Sequence, residues 1–218
     1  MPTPAILYAF LNAVGLLAAF FASRFWRQAA KKPSRGMLAA VIVGGMIGAK
    51  IPVWIAFGVS PIYFWDGKSL FGGLLGGFLA MNVYKTVCRI PDGGFGDRFV
   101  IPLCLAAGFG KLGCYCNGCC GGYELFGVVH PTQLYESAFQ FLLAVLFFVL
   151  YRFGWANGLR FPWYMILYMT MRFFIEFLRN EPAVLCGLTV YQLLVLVFLP
   201  VFVIIVCRRD GRKKLSPE

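Results

Sequence analysis

The chain is short of charge. Only 13% of its 218 residues are Asp, Glu, Lys or Arg, where a soluble domain carries about 25%. Too few polar residues remain to cover a closed surface, which excludes an ordinary soluble globule. Acidic residues are scarcest, nine against twenty Lys and Arg, for a net charge of +11. No basic–aromatic module accompanies that surplus, so nucleic acid is not an expected partner. Segments of about ten residues with strict apolar/polar alternation are missing, and with them a transmembrane β-barrel. No basic stretch precedes the first apolar run, so that run is expected to stay as an anchor, not to be cleaved as a signal peptide. There is no soluble domain, linker or low-complexity segment. Histidine is nearly absent, His130 being the only one.

What is present is apolar. Hydrophobic residues make up 60% of the chain. Runs of about 18 or more recur, each able to cross roughly 30 Å of hydrocarbon. Seven spans are read at 4–24, 37–58, 70–88, 98–113, 131–151, 159–178 and 185–207. The expected fold class is all-α, a polytopic membrane helical bundle of seven transmembrane helices in one integral membrane domain, 1–218. The fourth span is short and broken by Pro102, Gly108, Gly110 and Gly113. With the N-terminus outside, fifteen of the twenty basic residues fall in inner segments: Arg24, Arg27, Lys31, Lys32 and Arg35; Lys85, Arg89 and Arg98; Arg152 and Arg160; Arg208, Arg209, Arg212, Lys213 and Lys214. This N-out/C-in arrangement satisfies the positive-inside rule at every loop. The tail "RRDGRKKLSPE" reads as a solvated anchor beside anionic lipid.

The remaining polar residues gather toward the outer side: Tyr8 and Asn12 on the first span, Lys50 on the second, Lys111 on the fourth, His130, Gln133 and Glu136 on the fifth, Arg172, Glu176 and Arg179 on the sixth. Ionisable groups in hydrocarbon are costly and face a bundle interior or a cavity. In "MRFFIEFLRNEP", Arg172, Glu176 and Arg179 fall on one helical face. Two readings stand: an internal Arg172–Glu176 pair with Arg179 snorkelling to the surface, or a set of cations that holds a phosphate bidentately. In "SLFGGLLGGFLA" the pairs Gly72/Gly76 and Gly73/Gly77 suit close helix packing and also offer amides at a helix N-terminus to a phosphate. "GGMIGAK" repeats the spacing at Gly44 and Gly48, just before Lys50.

"GKLGCYCNGCC" sets Cys114, Cys116, Cys119 and Cys120 in one loop. They can form one or two disulfides, remain thiols, or bind zinc or an iron–sulfur cluster. Cys88, Cys104, Cys186 and Cys207 scatter and read as packing residues.

"HPTQLYE" (His130–Glu136) followed by "RFFIEFLR" (Arg172–Arg179), with "GGLLGG", "GGMIGAK" and "GKLGCYCNG" in matching places, resembles the bacterial phosphatidylglycerol–prolipoprotein diacylglyceryl transferase family. The resemblance runs through nearly the whole chain. It implies an enzyme of the bacterial cytoplasmic (inner) membrane with its active site toward the extracytoplasmic side, phosphatidylglycerol and a prolipoprotein as partners, and no cofactor or metal. A lipoprotein cysteine thiol would attack the glycerol carbon bearing the phosphate, and glycerol phosphate would leave. Carried onto this sequence, Arg172, Glu176, Lys111 and His130 become the catalytic candidates. Tyr8, Lys50, Gly72, Gly73, Asn117, Gln133, Glu136 and Arg179 become the phospholipid-binding candidates. The sequence departs from the family pattern where Phe71 replaces a histidine, Lys50 and Lys111 replace arginines, and Cys114 replaces an asparagine. Any base is then His130 or Glu176. Two rivals remain at this point: a membrane thiol–disulfide oxidoreductase using Cys116 and Cys119, and a non-catalytic phospholipid-binding or flipping homologue.

Overall fold

The computed structural model describes residues 3–25, 32–59, 67–91, 93–125 and 127–215. Arg27 and Lys31, counted above among the inner basic residues, lie outside the described residues, as do the side chains of Arg212, Lys213 and Lys214 and the end of the tail, 216–218. The architecture is helical apart from two short hairpins. Six helices are long and apolar enough to cross a membrane: Pro4–Arg24, Arg35–Phe57, Leu70–Val87, Phe95–Cys116, Thr132–Arg152 and Val190–Gly211. Phe10, Leu16, Met46, Val83, Leu142 and Val197 stand exposed on them. That is the surface of a multi-pass membrane protein, whose solvent on those faces is lipid.

The chain forms two compact units, one of Met1–Lys31, Gly94–Asn180 and Val197–Glu218, the other of Lys32–Gly93 and Glu181–Leu196. In the first unit, α1 (Pro4–Phe25) packs along α5 (Val100–Cys116), and α5 along α6 (Thr132–Arg152). Small residues make these approaches close. A Cβ at Gly15 would meet Phe109 at 2.9 Å, and one at Gly108 would meet the Phe141 ring at 2.8 Å. Ser137 Oγ donates to the Gly108 carbonyl at 2.9 Å, tying α6 to α5. Next comes α7 (Arg160–Ile175), whose Tyr164 hydroxyl donates to Gln140 Oε1 of α6 at 3.4 Å. A 3₁₀ turn, Phe95–Phe99, leads into α5, so this span is longer than 98–113. Pro102 is tolerated because it falls in the first turn of α5, where its missing N–H has no helical acceptor. Asp97 in that 3₁₀ turn accepts from Gly158 N at 2.6 Å and Phe161 N at 3.0 Å, satisfying amides at the start of α7.

In the second unit, Ser34 Oγ caps α2 (Arg35–Gly48) by accepting from Met37 N, and Ser69 Oγ caps α4 (Leu70–Val87) by accepting from Gly72 N. α2 and α4 lie backbone to backbone. A Cβ at Gly48 would fall 2.7 Å from Gly76 Cα, and one at Gly72 would fall 2.7 Å from Pro52 Cγ. The second predicted span is not one continuous helix: it breaks at Ala49–Lys50 and resumes as α3 (Ile51–Phe57). Pro52 supplies the reason, since it cannot donate to the carbonyl a turn earlier but suits the start of a new helix. The sixth predicted span, 159–178, is shorter as an α-helix than expected, sixteen residues in α7, and closes in a 3₁₀ turn, Glu176–Leu178.

Two hairpins complete the chain: β1 (Glu124–Leu125) with β2 (Val128–Val129) in the first unit, and β3 (Ala183–Leu185) with β4 (Leu188–Thr189) in the second. The last helix, α8 (Val190–Leu215), extends well into the basic tail. Arg209 on that extension donates to the Gly158 carbonyl at 2.8 Å. Of the four scattered cysteines, only Cys104 is buried in packing; Cys88, Cys186 and Cys207 are exposed.

Candidate functional site

The charged cluster is built where three helices of the first unit end or begin. α5 delivers Lys111 in its penultimate turn. α6 delivers Glu136 from its second turn, on a buried stripe with Thr132, Gln133, Ser137 and Gln140. α7 delivers Arg172 in its last turn, and the 3₁₀ turn behind it delivers Glu176. Glu136 is the hub. Lys111 Nζ lies 2.8 Å from its Oε2, while Arg172 Nη1 and Arg179 Nη1 lie 3.0 Å and 3.3 Å from its Oε1. Arg172 also reaches Glu176 Oε2 with Nη2 at 2.9 Å, and Arg179 Nε lies 3.7 Å from the same oxygen. The Glu136 and Glu176 side chains are 1% and 0% exposed, and Lys111 is the most open member at 14%.

This arrangement revises the simple ion-pair reading of the sequence. Arg179 does not snorkel: its side chain is 6% exposed and turned inward. The cause is local. α-helical geometry stops at Ile175, the 3₁₀ turn tightens the chain, and Arg179 adopts an extended backbone, so it no longer follows the helical face of Arg172. Three cations meet these two carboxylates in a nearly dry cluster. Such a site suits a singly charged phosphodiester, and Arg forks suit its oxygens.

The cysteine loop is fastened directly to this cluster. Gln133 Nε2 donates to the Cys119 carbonyl at 2.7 Å. Thr132 Oγ1 and Arg179 Nη1 donate to the Cys120 carbonyl at 3.0 Å and 3.4 Å. Thr132 escaped the sequence reading; its only signal was a hydroxyl at the start of a helix, after Pro131. All eight cysteines are free thiols. A hydrogen bond from the Cys114 thiol, with the nearby charges of Lys111 and Arg179, holds the Cys120 thiol below the usual thiol range.

The other candidates are placed as follows. Tyr8 on α1 lies against Gly113, where a Cβ would come within 3.2 Å of its ring. Asn12 donates back to the Tyr8 carbonyl at 2.8 Å. Asn117 is the exposed C-cap of α5. His130 Nδ1 lies 3.2 Å from the Tyr135 hydroxyl, outside the ion-pair network. Lys50, Phe71, Gly72 and Gly73 belong to the second unit. There Lys50 Nζ donates to the Gly67 carbonyl at 2.9 Å, and Phe71 is buried. The Gly72 and Gly73 amides, which could serve close packing or also a phosphate, donate to Ser69 Oγ and the Ser69 carbonyl.

Comparison with known proteins agrees with this geometry. Residues 2–208 match the profile of the prolipoprotein diacylglyceryl transferases. A phosphatidylglycerol–prolipoprotein diacylglyceryl transferase 2 of Clostridium perfringens (strain 13 / Type A) is 30% identical over 171 residues, 67% of this chain and 67% of that protein. A phosphatidylglycerol–prolipoprotein diacylglyceryl transferase of Clostridium tetani (strain Massachusetts / E88) is 32% identical over 65% of this chain and 66% of its own length. One of Dehalococcoides mccartyi (strain CBDB1) is 26% identical over 97% of this chain and 92% of its own length. The match thus spans about two thirds of the two clostridial relatives and nearly all of the third. With Lys111, Glu136, Arg172, Glu176 and Arg179 gathered in one buried cluster and a family match over residues 2–208, the chain belongs to the prolipoprotein diacylglyceryl transferase family.

Proposed function

We infer that the chain transfers the diacylglyceryl group of phosphatidylglycerol to the cysteine thiol of a prolipoprotein. The observation that carries this is the three-cation, two-carboxylate cluster around Glu136, built from residues of three family motifs. In this reading Arg172, Arg179 and Lys111 hold the phosphodiester, their positive charges facing its negative one. The acceptor sulfur attacks the glycerol carbon bearing the phosphate. The C–O bond breaks, its electron pair stays on phosphate oxygen, and glycerol phosphate leaves with a second negative charge that the cations stabilise. The thiol proton passes to an acceptor, for which the chain offers Glu176 within the cluster and His130 beside it in sequence to the hub helix. Fixed charges in a water-poor site are worth more than in water, and removing one typically costs about 10²–10³-fold in rate. Gln133 and Thr132 act by holding the cysteine loop in place. The names of the relatives support neither a thiol–disulfide oxidoreductase nor a lipid-flipping protein.

The same reading puts the protein in the bacterial inner membrane with seven spans, α7 being the seventh crossing beside the six longer ones, N-terminus out and C-terminus in. The charge partition of the loops supports it. The cluster, at the outer ends of α5 and α7, then faces the extracytoplasmic side.

The test is direct. Purified protein in nanodiscs receives phosphatidylglycerol and a lipobox peptide, and the thioether-linked product is counted by mass. Product that requires both substrates and the peptide cysteine supports the reading; its absence with every anionic phospholipid tried sinks it. A C-terminal reporter active only outside would overturn the orientation.

A further inference from the structure

The last turn of α5 and the loop after it carry more thiol than the proposed chemistry uses. The Sγ atoms of Cys114, Cys119 and Cys120 all lie within 4.8 Å of one another. Cys116, between them in sequence, stays outside the group. Cys114 and Cys119 are half-buried and Cys120 is exposed, so the group is reachable from outside. Nor is it an accident of a slack loop. Cys119 N donates to the Cys114 carbonyl at 3.1 Å. The Cys119 carbonyl is held by Gln133, and the Cys120 carbonyl by Thr132 and Arg179. Cys120 sits at φ +63°, a left-handed conformation that a side-chain-bearing residue adopts only when its surroundings impose it.

Three converging thiols are a donor set for a soft or borderline cation. Zinc binds thiolate sulfur at about 2.3 Å in tetrahedral geometry, which places sulfurs a little under 4 Å apart, so a small inward movement completes the site. Structural zinc sites take four protein ligands, whereas catalytic ones take three and keep a position open. Among the described residues no fourth cysteine, histidine or carboxylate joins the three. An open position on a thiolate-bound cation is a natural seat for one more sulfur, and the proposed acceptor is a thiol.

We propose that Cys114, Cys119 and Cys120 bind a zinc-type divalent cation and that its open fourth position takes the acceptor cysteine of the substrate peptide. The metal site stands on the cluster alone; its use rests on the proposed transfer function. Coordination releases the thiol proton to Glu176, His130 or water. The bound sulfur then attacks the glycerol carbon, the C–O pair leaves with the phosphate, and the thioether, a weaker ligand, departs. The cation keeps its three thiolates throughout, and nothing is oxidised or reduced. The Arg179 that holds the Cys120 carbonyl also holds Glu136, so the seat adjoins the cations assigned to the phosphate.

The test uses the full chain, purified under reducing, oxygen-free conditions. Elemental analysis should find about one zinc per chain, kept by Cys116→Ser and reduced roughly tenfold or more by Cys114→Ser or Cys120→Ser. Cobalt loaded into the unmodified protein keeps the experiment independent of how those variants fold. It should give thiolate-to-metal charge transfer and tetrahedral visible bands. A lipobox peptide should shift those bands, and the same peptide with serine for cysteine should not. A metal-free protein with two loop cysteines joined as a disulfide overturns the proposal, and so does cobalt whose spectrum ignores the peptide. Thioether formed at full rate by metal-stripped protein removes the metal while leaving the transferase reading intact. A peptide-dependent cobalt spectrum without thioether from any phospholipid sinks the transferase reading and leaves the metal site standing.

Discussion

Arg172 lies 3.0 Å from Glu136, a residue 36 positions earlier in the chain and on a different helix. That contact turns two motifs of the sequence into one site. Its strength comes from burial, which makes each partner costly to leave alone.

Glu136→Gln should therefore be severe. It takes the carboxylate from Lys111 and leaves Arg172 and Arg179 with Glu176, and breaking a buried pair from one side costs about 3–5 kcal/mol. Thermal unfolding in detergent should show a large drop. Adding Lys111→Met should recover part of it, with a coupling of about 0.5–3 kcal/mol in the double-mutant cycle. Strict additivity would mean that the two do not share a site.

Arg172→Ala should lower thioether formation by about 10²-fold or more, and Arg172→Lys, which keeps the charge but loses the planar fork, should fall between. Arg160 is the control. It is also buried, at 3% exposure, but its guanidinium holds the Trp155 carbonyl and Asn157 instead of a carboxylate of the cluster. Arg160→Ala should lower the melting temperature while the folded fraction keeps its turnover. Equal loss of turnover per folded molecule in both variants would detach Arg172 from the chemistry.

The paired glycines give a graded test of packing. A Cβ at Gly76 would collide with the Gly44 carbonyl oxygen and lie 2.7 Å from Gly48 Cα, both backbone atoms that cannot turn aside. At Gly73 the nearest atom is 3.4 Å away. Gly76→Ala should cost about 1–3 kcal/mol and Gly73→Ala little. Melting curves of the two variants, side by side, decide it.

Asp97→Asn should destabilise by about 1–2 kcal/mol, because one carboxylate now serves two amides, Gly158 and Phe161, and an amide side chain offers one acceptor oxygen. Faster amide hydrogen exchange at residues 158–161 is the local signature; unchanged exchange there would dismiss the cap.

Much of this was legible in the sequence. Long apolar runs announce crossing helices because hydrocarbon thickness sets their length, and Arg172 with Glu176 show themselves at a one-turn spacing. The central role of Glu136 was not legible, since its partners come from two distant segments, one with Lys111 and one with Arg172 and Arg179, and nothing local marks the pairing. The inward turn of Arg179 depends on where α7 gives way to a 3₁₀ turn, a boundary that side-chain periodicity does not resolve. The break at Ala49–Lys50 had its cause in plain view at Pro52, yet hydropathy reads straight across it. The Gly72 and Gly73 amides looked available because the sequence does not say that Ser69 caps them.

The β1–β2 hairpin is fixed at its base and has open space at Gly127. Gly122 N donates to the His130 carbonyl at 3.1 Å and Tyr123 N to the Leu178 carbonyl at 2.8 Å, so the strands leave a fastened root. Gly127, at φ +76°, would meet nothing within 4 Å if it carried a Cβ. The tip is therefore a natural point of attachment for an engineer. A short epitope or a fluorophore-bearing residue spliced in at Gly127 would hang from the rim of the cluster without entering it, and antibody access in intact cells would report which side of the bilayer that rim occupies.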